Sequence, residues 1–173
     1  MELYKLIVSN RGSKMVIKIA ICDDDLNYLN SLENMLKSYF ENKNYTLELS
    51  KFNTARNLIL DIQDGSNFDI AIIDIEMPDI NGMELARIIN DICNDCVVMF
   101  LTSYIRYAVD AFELKIFRYI PKTQIDSRLA LAFDDAIKIV ANNQQRQVLI
   151  SKYNHIENVK FDDIIYVQKN GKS

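Results

Sequence analysis

Ile70-Ala71-Ile72-Ile73-Asp74-Ile75-Glu76-Met77-Pro78-Asp79-Ile80-Asn81-Gly82 is the stretch that decides the fold. Its first four residues are apolar without alternation, the pattern of a strand buried on both faces, as in a parallel sheet covered by helices. Asp74 then ends the strand with a carboxylate, at the place where α/β proteins bind their ligands. Pro78 and Asn81-Gly82 mark a turn, and a helix over Met83 to Ile92 follows. A second apolar strand, Ile17-Lys18-Ile19-Ala20-Ile21-Cys22, runs into Asp23-Asp24-Asp25. Two strands that both end in carboxylates predict one acidic pocket built from both.

Outward from these two strands the pattern alternates strand and helix. Leu26, Leu29, Leu32, Met35, Leu36, Tyr39 and Phe40 recur at three- and four-residue steps, an amphipathic helix with the Asp cluster before it as N-cap. Tyr45 to Lys51 reads as a strand, and Thr54 caps a short helix bearing Leu58, Ile59 and Ile62. Val97 to Leu101 is a buried strand ending in Thr102-Ser103. A helix with Ala108, Val109, Ala111 and Phe112 comes next. Phe117 to Ile120 is a short strand ending at Pro121-Lys122, and a long helix carries Leu129, Ala132, Phe133, Ala136, Ile137 and Val140. Five strands and five helices in strict alternation predict an α/β fold, a five-stranded parallel sheet doubly wound by helices on both faces. After the polar run Asn142 to Gln147 the style changes. Val148-Leu149-Ile150, Val159-Lys160-Phe161 and Ile164 to Val167 read as short strands and Asn170-Gly171 as a hairpin turn, a short β-rich fragment too small to bury a core alone. The expected organisation is an N-terminal extension over 1–14, a main domain over 15–145, and a linker with the beginning of a second domain over 146–173.

The bulk composition bounds the function. An apolar content of 49% with 25% charged residues is that of a globular domain. No apolar run approaches the roughly 18–20 residues of a membrane span, and the N-terminus lacks the apolar core of a secretion signal, so a cytoplasmic protein with no membrane partner is expected. A net charge of −4 argues against nucleic-acid binding by bulk electrostatics. Cys93-Asn94-Asp95-Cys96 has redox or zinc spacing, but the single histidine, His155, is remote and no second cysteine pair exists. The pair is read as a helix end and a strand start that happen to hold cysteines.

The polar residues at the strand ends form a constellation. Asp23 and Asp24 follow the first strand, Asp74 the third, Thr102 the fourth and Lys122 the fifth. Neighbouring carboxylates about 4 Å apart repel by about 4 kcal/mol at an effective dielectric near 20. A hard divalent cation relieves that cost, and Mg²⁺ suits a site with few carboxylates. With Lys122 as a second cation, the set is arranged for phosphoryl transfer, where positioning and charge neutralisation do most of the catalysis. Asp23 and Asp24 have a plainer reading as helix caps. Asp25, Glu76 and Asp79 read as solvated loop acids.

Asp-Asp after the first strand, Asp74-x-x-Met77-Pro78-x-x-x-Gly82 after the third, Thr102-Ser103 after the fourth and Tyr119-x-x-Lys122 at the fifth resemble the receiver domain of two-component response regulators, a flavodoxin-like fold. The resemblance covers roughly residues 16–145. It implies that Asp74 is the phosphoacceptor for a sensor histidine kinase. It further implies Mg²⁺ held by Asp24, Asp74 and the backbone carbonyl of Glu76, with Asp23 acting through a metal-bound water. Lys122 and Thr102 would contact the phosphoryl group, and Thr102 and Tyr119 would switch together. The protein would be a signalling phosphoacceptor, not an enzyme, and would form a homodimer on activation. Thr123 stands where such domains usually carry a proline after the lysine.

Leu101 to Tyr104, Tyr107 to Leu114 and Phe117 to Lys122 are similar to the receivers of LytTR-type transcription regulators, and Val159 to Val167 resembles the opening of their DNA-binding domain. That implies promoter DNA as a partner of a longer protein, mostly absent here. The first fifteen residues read either as an extra strand over Leu3 to Val8 or as a start called too early, with native translation beginning at Met15. Two other functions fit parts of the pattern. A haloacid-dehalogenase-like phosphatase would use Asp74 as nucleophile and Glu76 as acid/base. A pseudo-receiver would never be phosphorylated.

Overall fold

The computed structural model describes residues 4–7, 14–104, 107, 111, 114–145, 147–152 and 155–160. In chain order the strands are β1 (Tyr4–Ile7), β2 (Met15–Cys22), β3 (Tyr45–Phe52), β4 (Ile70–Ile73), β5 (Val97–Thr102), β6 (Arg118–Pro121), β7 (Gln147–Lys152) and β8 (His155–Lys160). The helices among the described residues are α1 (Leu26–Glu41), α2 (Ala55–Gln63), α3 (Gly82–Ile92) and α4 (Ile125–Gln145), the last preceded by a 3₁₀ turn over Lys122–Gln124. Of the helix expected around Ala108 to Phe112, Ala111 is described and buried, and the rest lies outside the described residues. None of the described helices is long and apolar enough to cross a membrane.

The chain divides into two units, residues 14–140 and a second made of residues 1–13 with 141–173. The first holds a five-stranded sheet in the order β3-β2-β4-β5-β6, with every neighbouring pair parallel. This is the expected doubly wound architecture. The order reverses around β2, so the switch point falls between β2 and β4, where α/β sheets open a crevice at their carboxyl ends. Each strand buries both faces where it is central: β4 and β5 are buried throughout.

Alternate residues of the strands feed two cores. Ile17, Ile19, Ile21, Ile70, Ile72, Met99 and Leu101 pack with α1 and α4, and Ala20, Cys22, Ala71, Ile73, Val98 and Phe100 pack with α2 and α3. The caps start the helices where a side-chain oxygen meets the free N–H groups of the first turn. Asp25 accepts from the N–H of Asn27 (2.8 Å) and Tyr28 (3.2 Å). Thr54 accepts from Asn57 (3.2 Å) and Asn81 from Glu84 (2.9 Å). Gly65 ends α2 at φ 101°, a left-handed conformation that a Cβ disfavours. The expected stripe on α1 narrows in the structure. Leu29, Leu32, Leu36 and Phe40 are buried, whereas Leu26, the first residue of the helix, is 59% exposed and Met35, one residue off the stripe, faces solvent.

The second unit contains an antiparallel sheet in the order β1-β7-β8. The N-terminal strand thus exists, and it pairs with β7, from Tyr4 opposite Lys152 to Ile7 opposite Leu149. The third expected tail strand, Ile164 to Val167, and the Asn170-Gly171 turn lie outside the described residues.

Phe133 is fully buried on α4, its ring 5.4 Å from that of Tyr39 and 6.1 Å from that of Phe40. Phe133→Ala should therefore cost about 3–5 kcal/mol in urea unfolding. Leu131→Ala, two residues earlier and exposed, should change stability by less than about 0.5 kcal/mol.

Candidate functional site

The register that builds the sheet also builds the pocket. Cys22 on β2 lies opposite Ile73 on β4, so Asp23 and Asp74 leave adjacent strands at the same level. The Asp74 N–H continues the ladder by donating to the Cys22 carbonyl at 2.9 Å, and the Asp23 N–H donates to the Phe52 carbonyl at 3.2 Å. Both carboxylates are consequently buried, at 3% and 6% exposure, while Asp24 is exposed. Carboxylate oxygens of Asp23, Asp24 and Asp74 all lie within 4.8 Å of one another.

Lys122 enters from β6. Its ammonium is 2.5 Å from Asp23 Oδ2 and 2.7 Å from Asp74 Oδ2. The other oxygens are held by backbone: Asp23 Oδ1 accepts from the Asp25 N–H at 3.0 Å, and Asp74 Oδ1 from the Ile75 N–H at 2.6 Å. The ammonium also lies 4.2 Å from the centroid of the Tyr28 ring. The Lys122–Thr123 peptide is trans. Burial and pairing act oppositely on the two partners. At Asp23 burial dominates the hydrogen bonds from Lys122 and Asp25 and pushes the carboxyl above its usual range. At Lys122 burial pulls the ammonium down, but the bonds to Asp23 and Asp74 outweigh it and the value rises. Three carboxylates gathered against one ammonium leave the site with more negative charge than its described partners balance.

Around this centre sit the other residues that the sequence singles out. Thr102, fully buried at the end of β5, accepts from the Tyr104 N–H at 3.3 Å. Tyr119 donates its hydroxyl to the Tyr104 carbonyl and stands edge-on to Phe100, with ring centroids 6.0 Å apart. Thr102 and Tyr119 are therefore connected through the backbone of Tyr104. Glu76 accepts from the Tyr107 hydroxyl at 3.2 Å. Met77 is buried with its sulfur 3.6 Å from Cys22 Sγ, and burial pushes the Cys22 thiol up to about 12.

Two of the residues read as solvated loop acids do structural work. Asp25, not Asp23 or Asp24, caps α1. Asp79 accepts from the Arg56 N–H at the start of α2 at 3.1 Å, tying the loop after β4 to the neighbouring helix. Neither bond has a periodic signal in sequence. Cys96 donates its N–H to the Cys93 carbonyl in the turn between α3 and β5, and both thiols are free.

Gly82 is the closest approach in the site. Its N–H donates to the Ile75 carbonyl at 2.7 Å, and a Cβ built on it would lie 2.1 Å from the Asp74 carbonyl oxygen. Only a residue without a side chain lets α3 start against the backbone of Asp74.

Residues 19–134 match the family model for the response regulator receiver domain, and the chain belongs to that family. It is 34% identical over 108 residues to the transcriptional regulatory protein NatR of Bacillus subtilis, a match covering 62% of this chain and 46% of that protein. It is 29% identical over 96 residues to the sensory transduction protein LytT of Oceanobacillus iheyensis, covering 54% and 39%. The matches therefore span less than half the length of these curated relatives. Among solved structures, the response regulator TrrA of Thermotoga maritima in complex with Mg(2+)-BeF is similar with a TM-score of 0.60 and 26% identity, over 69% of this chain and 98% of that one. The response regulatory domain of mrkE from Klebsiella pneumoniae shares the fold, with a TM-score of 0.64 at 23% identity over 73% and 99%. The chain is thus a receiver domain of a two-component system, and its relatives include transcriptional regulators. The family that the chain matches is one of signalling domains, which weighs against the phosphatase reading.

Two outcomes follow from the site. Gly82→Ala should lower stability by about 1–3 kcal/mol or more, because the methyl meets rigid backbone; thermal unfolding measures it. For the pH dependence, a carboxyl raised in the fold is favourable below its unfolded value near 3.8 and unfavourable as pH rises through the folded value. Asp23→Asn should therefore stabilise the cation-free protein at pH 7 and remove part of the stability gained on acidification toward pH 4, as followed by urea titrations at both pH values.

Proposed function

We propose that Asp74 accepts a phosphoryl group from the phosphohistidine of a sensor kinase, and that this controls transcription through an output domain beginning near residue 146. The observation that carries the reading is the buried pair Asp23 and Asp74 bridged by Lys122, with Asp24 completing a cluster of oxygens within 4.8 Å.

The donor set fits Mg²⁺. It offers three carboxylates and no sulfur or imidazole, and one of its buried carboxyls has its charged form disfavoured by burial. Asp24, Asp74 and the Glu76 carbonyl are the residues that would hold the ion, with Asp23 acting through a bound water. When bound, Mg²⁺ supplies charge neutralisation for the phosphoryl oxygens.

The chain's own groups do the rest. Asp74 forms the new P–O bond as the P–N bond to the kinase imidazole breaks, and the imidazole leaves with the electron pair. Lys122, which holds Asp74 Oδ2 at rest, takes the phosphoryl oxygens as its new partners. Thr102 turns its hydroxyl from the Tyr104 N–H to the phosphoryl group, and Tyr119 leaves the Tyr104 carbonyl to follow it. Both motions release the same backbone unit, which gives the switch its coupling. Moving such an equilibrium from 1:99 to 99:1 takes about 5.5 kcal/mol, within reach of several charge-assisted bonds to a phosphoryl dianion. A homodimer on activation follows from that switch. Residues 146–173 open a LytTR-type DNA-binding domain, in keeping with relatives named as transcriptional regulatory and sensory transduction proteins.

Incubation with acetyl phosphate and Mg²⁺ should add the mass of one phosphoryl group, read by intact-mass spectrometry. The adduct should vanish in Asp74→Asn and with chelator. An adduct that survives Asp74→Asn, or a wild-type chain that never gains the mass, overturns the proposal, and the second result would favour the pseudo-receiver.

A further inference from the structure

Among the described residues the Lys122 ammonium has three close neighbours: Asp23 Oδ2, Asp74 Oδ2 and the face of the Tyr28 ring. In the proposed reaction a divalent cation claims the two carboxylates and the phosphoryl group is carried by Asp74. The ring is the neighbour that neither of them claims.

Tyr28 is placed by the start of α1. Its N–H donates to the capping carboxylate of Asp25 at 3.2 Å, so the cap that begins the helix also fixes the backbone from which the ring projects. The ring packs against the core shared by α1, α4 and the sheet. Its hydroxyl is buried, with no hydrogen-bond partner among the described residues. A buried hydroxyl without a partner is unfavourable, so the hydroxyl does not explain the residue. The ring face does: it carries negative potential and attracts an ammonium above it, more strongly where water is excluded. The Lys122 side chain is 15% exposed, so the contact is largely sheltered.

We infer that Tyr28 is the positioning residue for Lys122, its ring holding the ammonium in the site while Lys122 passes from the Asp23 and Asp74 carboxylates to the oxygens of the phosphoryl group. The inference rests on Asp74 being the phosphoacceptor. A lysine released from Asp23 has a flexible four-carbon stem and a strongly hydrated head. Without the ring, water is its best partner, and order has to be regained in the transition state. With the ring, the ammonium stays near its point of use, and that entropy is lost before the reaction begins. The ring also helps keep Lys122 against the carboxylates, where it competes with a cation. Losing it should therefore slow phosphorylation while leaving Mg²⁺ binding as tight as before or tighter.

The test uses the full chain with ¹³C-labelled lysine, the Lys122 signal being assigned by its loss in Lys122→Met. In the wild type the ε-methylene protons of Lys122 should be shifted upfield by the ring current. The shift should persist in Tyr28→Phe and disappear in Tyr28→Leu. Phosphorylation by phosphoramidate at saturating Mg²⁺ should slow by roughly threefold to thirtyfold in Tyr28→Leu, the range that a sheltered cation–π contact spans, and Tyr28→Phe should recover it. Mg²⁺ affinity, followed by NMR titration, should not fall in either variant. The inference is overturned by a Lys122 signal at its ordinary position in the wild type, or by one that the leucine leaves unmoved. It is equally overturned by wild-type rates in Tyr28→Leu, by a phenylalanine variant as slow as the leucine one, or by Mg²⁺ affinity dropping alongside the rate, which marks a merely structural role. If the wild-type chain takes no phosphoryl group, the phosphoacceptor reading falls, and the ring-current and Mg²⁺ measurements still decide whether Tyr28 holds Lys122.

Discussion

Two carboxylates are forced together at the end of the sheet, and one lysine bridges them. Asp23 and Asp74 follow paired residues of adjacent parallel strands, so neither can withdraw without breaking the register. Burial raises the cost of charge at Asp23, and the bond from Lys122 offsets only part of it. At an effective dielectric near 20, like charges about 4 Å apart repel by about 4 kcal/mol. The pocket is therefore a place where the fold tolerates excess negative charge, and added positive charge is what it lacks. That imbalance connects the packing of β2 against β4 to the chemistry proposed for the site, cation binding and acceptance of a phosphoryl group.

The surroundings of the pocket hold it still on one side and allow movement on the other. Gly82 brings α3 against the backbone of Asp74, Asp79 ties the intervening loop to α2, and Met77 fills space beside Cys22. These contacts leave Asp74 little freedom. On the β5–β6 side, Thr102 and Tyr119 are held by single hydrogen bonds to one residue, Tyr104. Single bonds to a loop are exchanged more readily than a packed core is rearranged, which is what the proposed switch asks of this side.

Much of the main unit was legible because its strands are central and buried. Ile70 to Ile73 and Val97 to Leu101 have no polar face, and such short unbroken apolar runs, with turn residues after them, read as strands covered on both sides. Leu29, Leu32, Leu36 and Phe40 repeat at the helical period, and Thr54 shows its capping role in its position. Asp23, Asp24, Asp74 and Lys122 stood out because each follows an apolar run, and the structure brings those four together. Asp25 lay within the acidic cluster read as the N-cap of α1, but nothing in the sequence marked which of the three acids caps. Asp79 was misread because its partner, the Arg56 N–H, belongs to a different helix. Tyr28 and Tyr104 were not read as site residues. Tyr28 reaches Lys122 from a helix distant in sequence, and Tyr104 acts through its backbone. The partner of β1 was equally hidden, since β7 lies at the opposite end of the chain.

The order of apolar runs and the acids that end them determined the fold class, the switch-point pocket and the carboxylates in it. Periodicity and strand ends are local properties, and local properties are written along the chain. Only the tertiary structure decided which oxygen of Asp74 carries Lys122, which aspartate caps α1, that Tyr104 joins Thr102 to Tyr119, and that an aromatic face lies against the ammonium. Those features depend on distances between side chains from different elements. A difference of an ångström or two separates a hydrogen bond from no contact, and nothing in the linear order of residues sets distances on that scale.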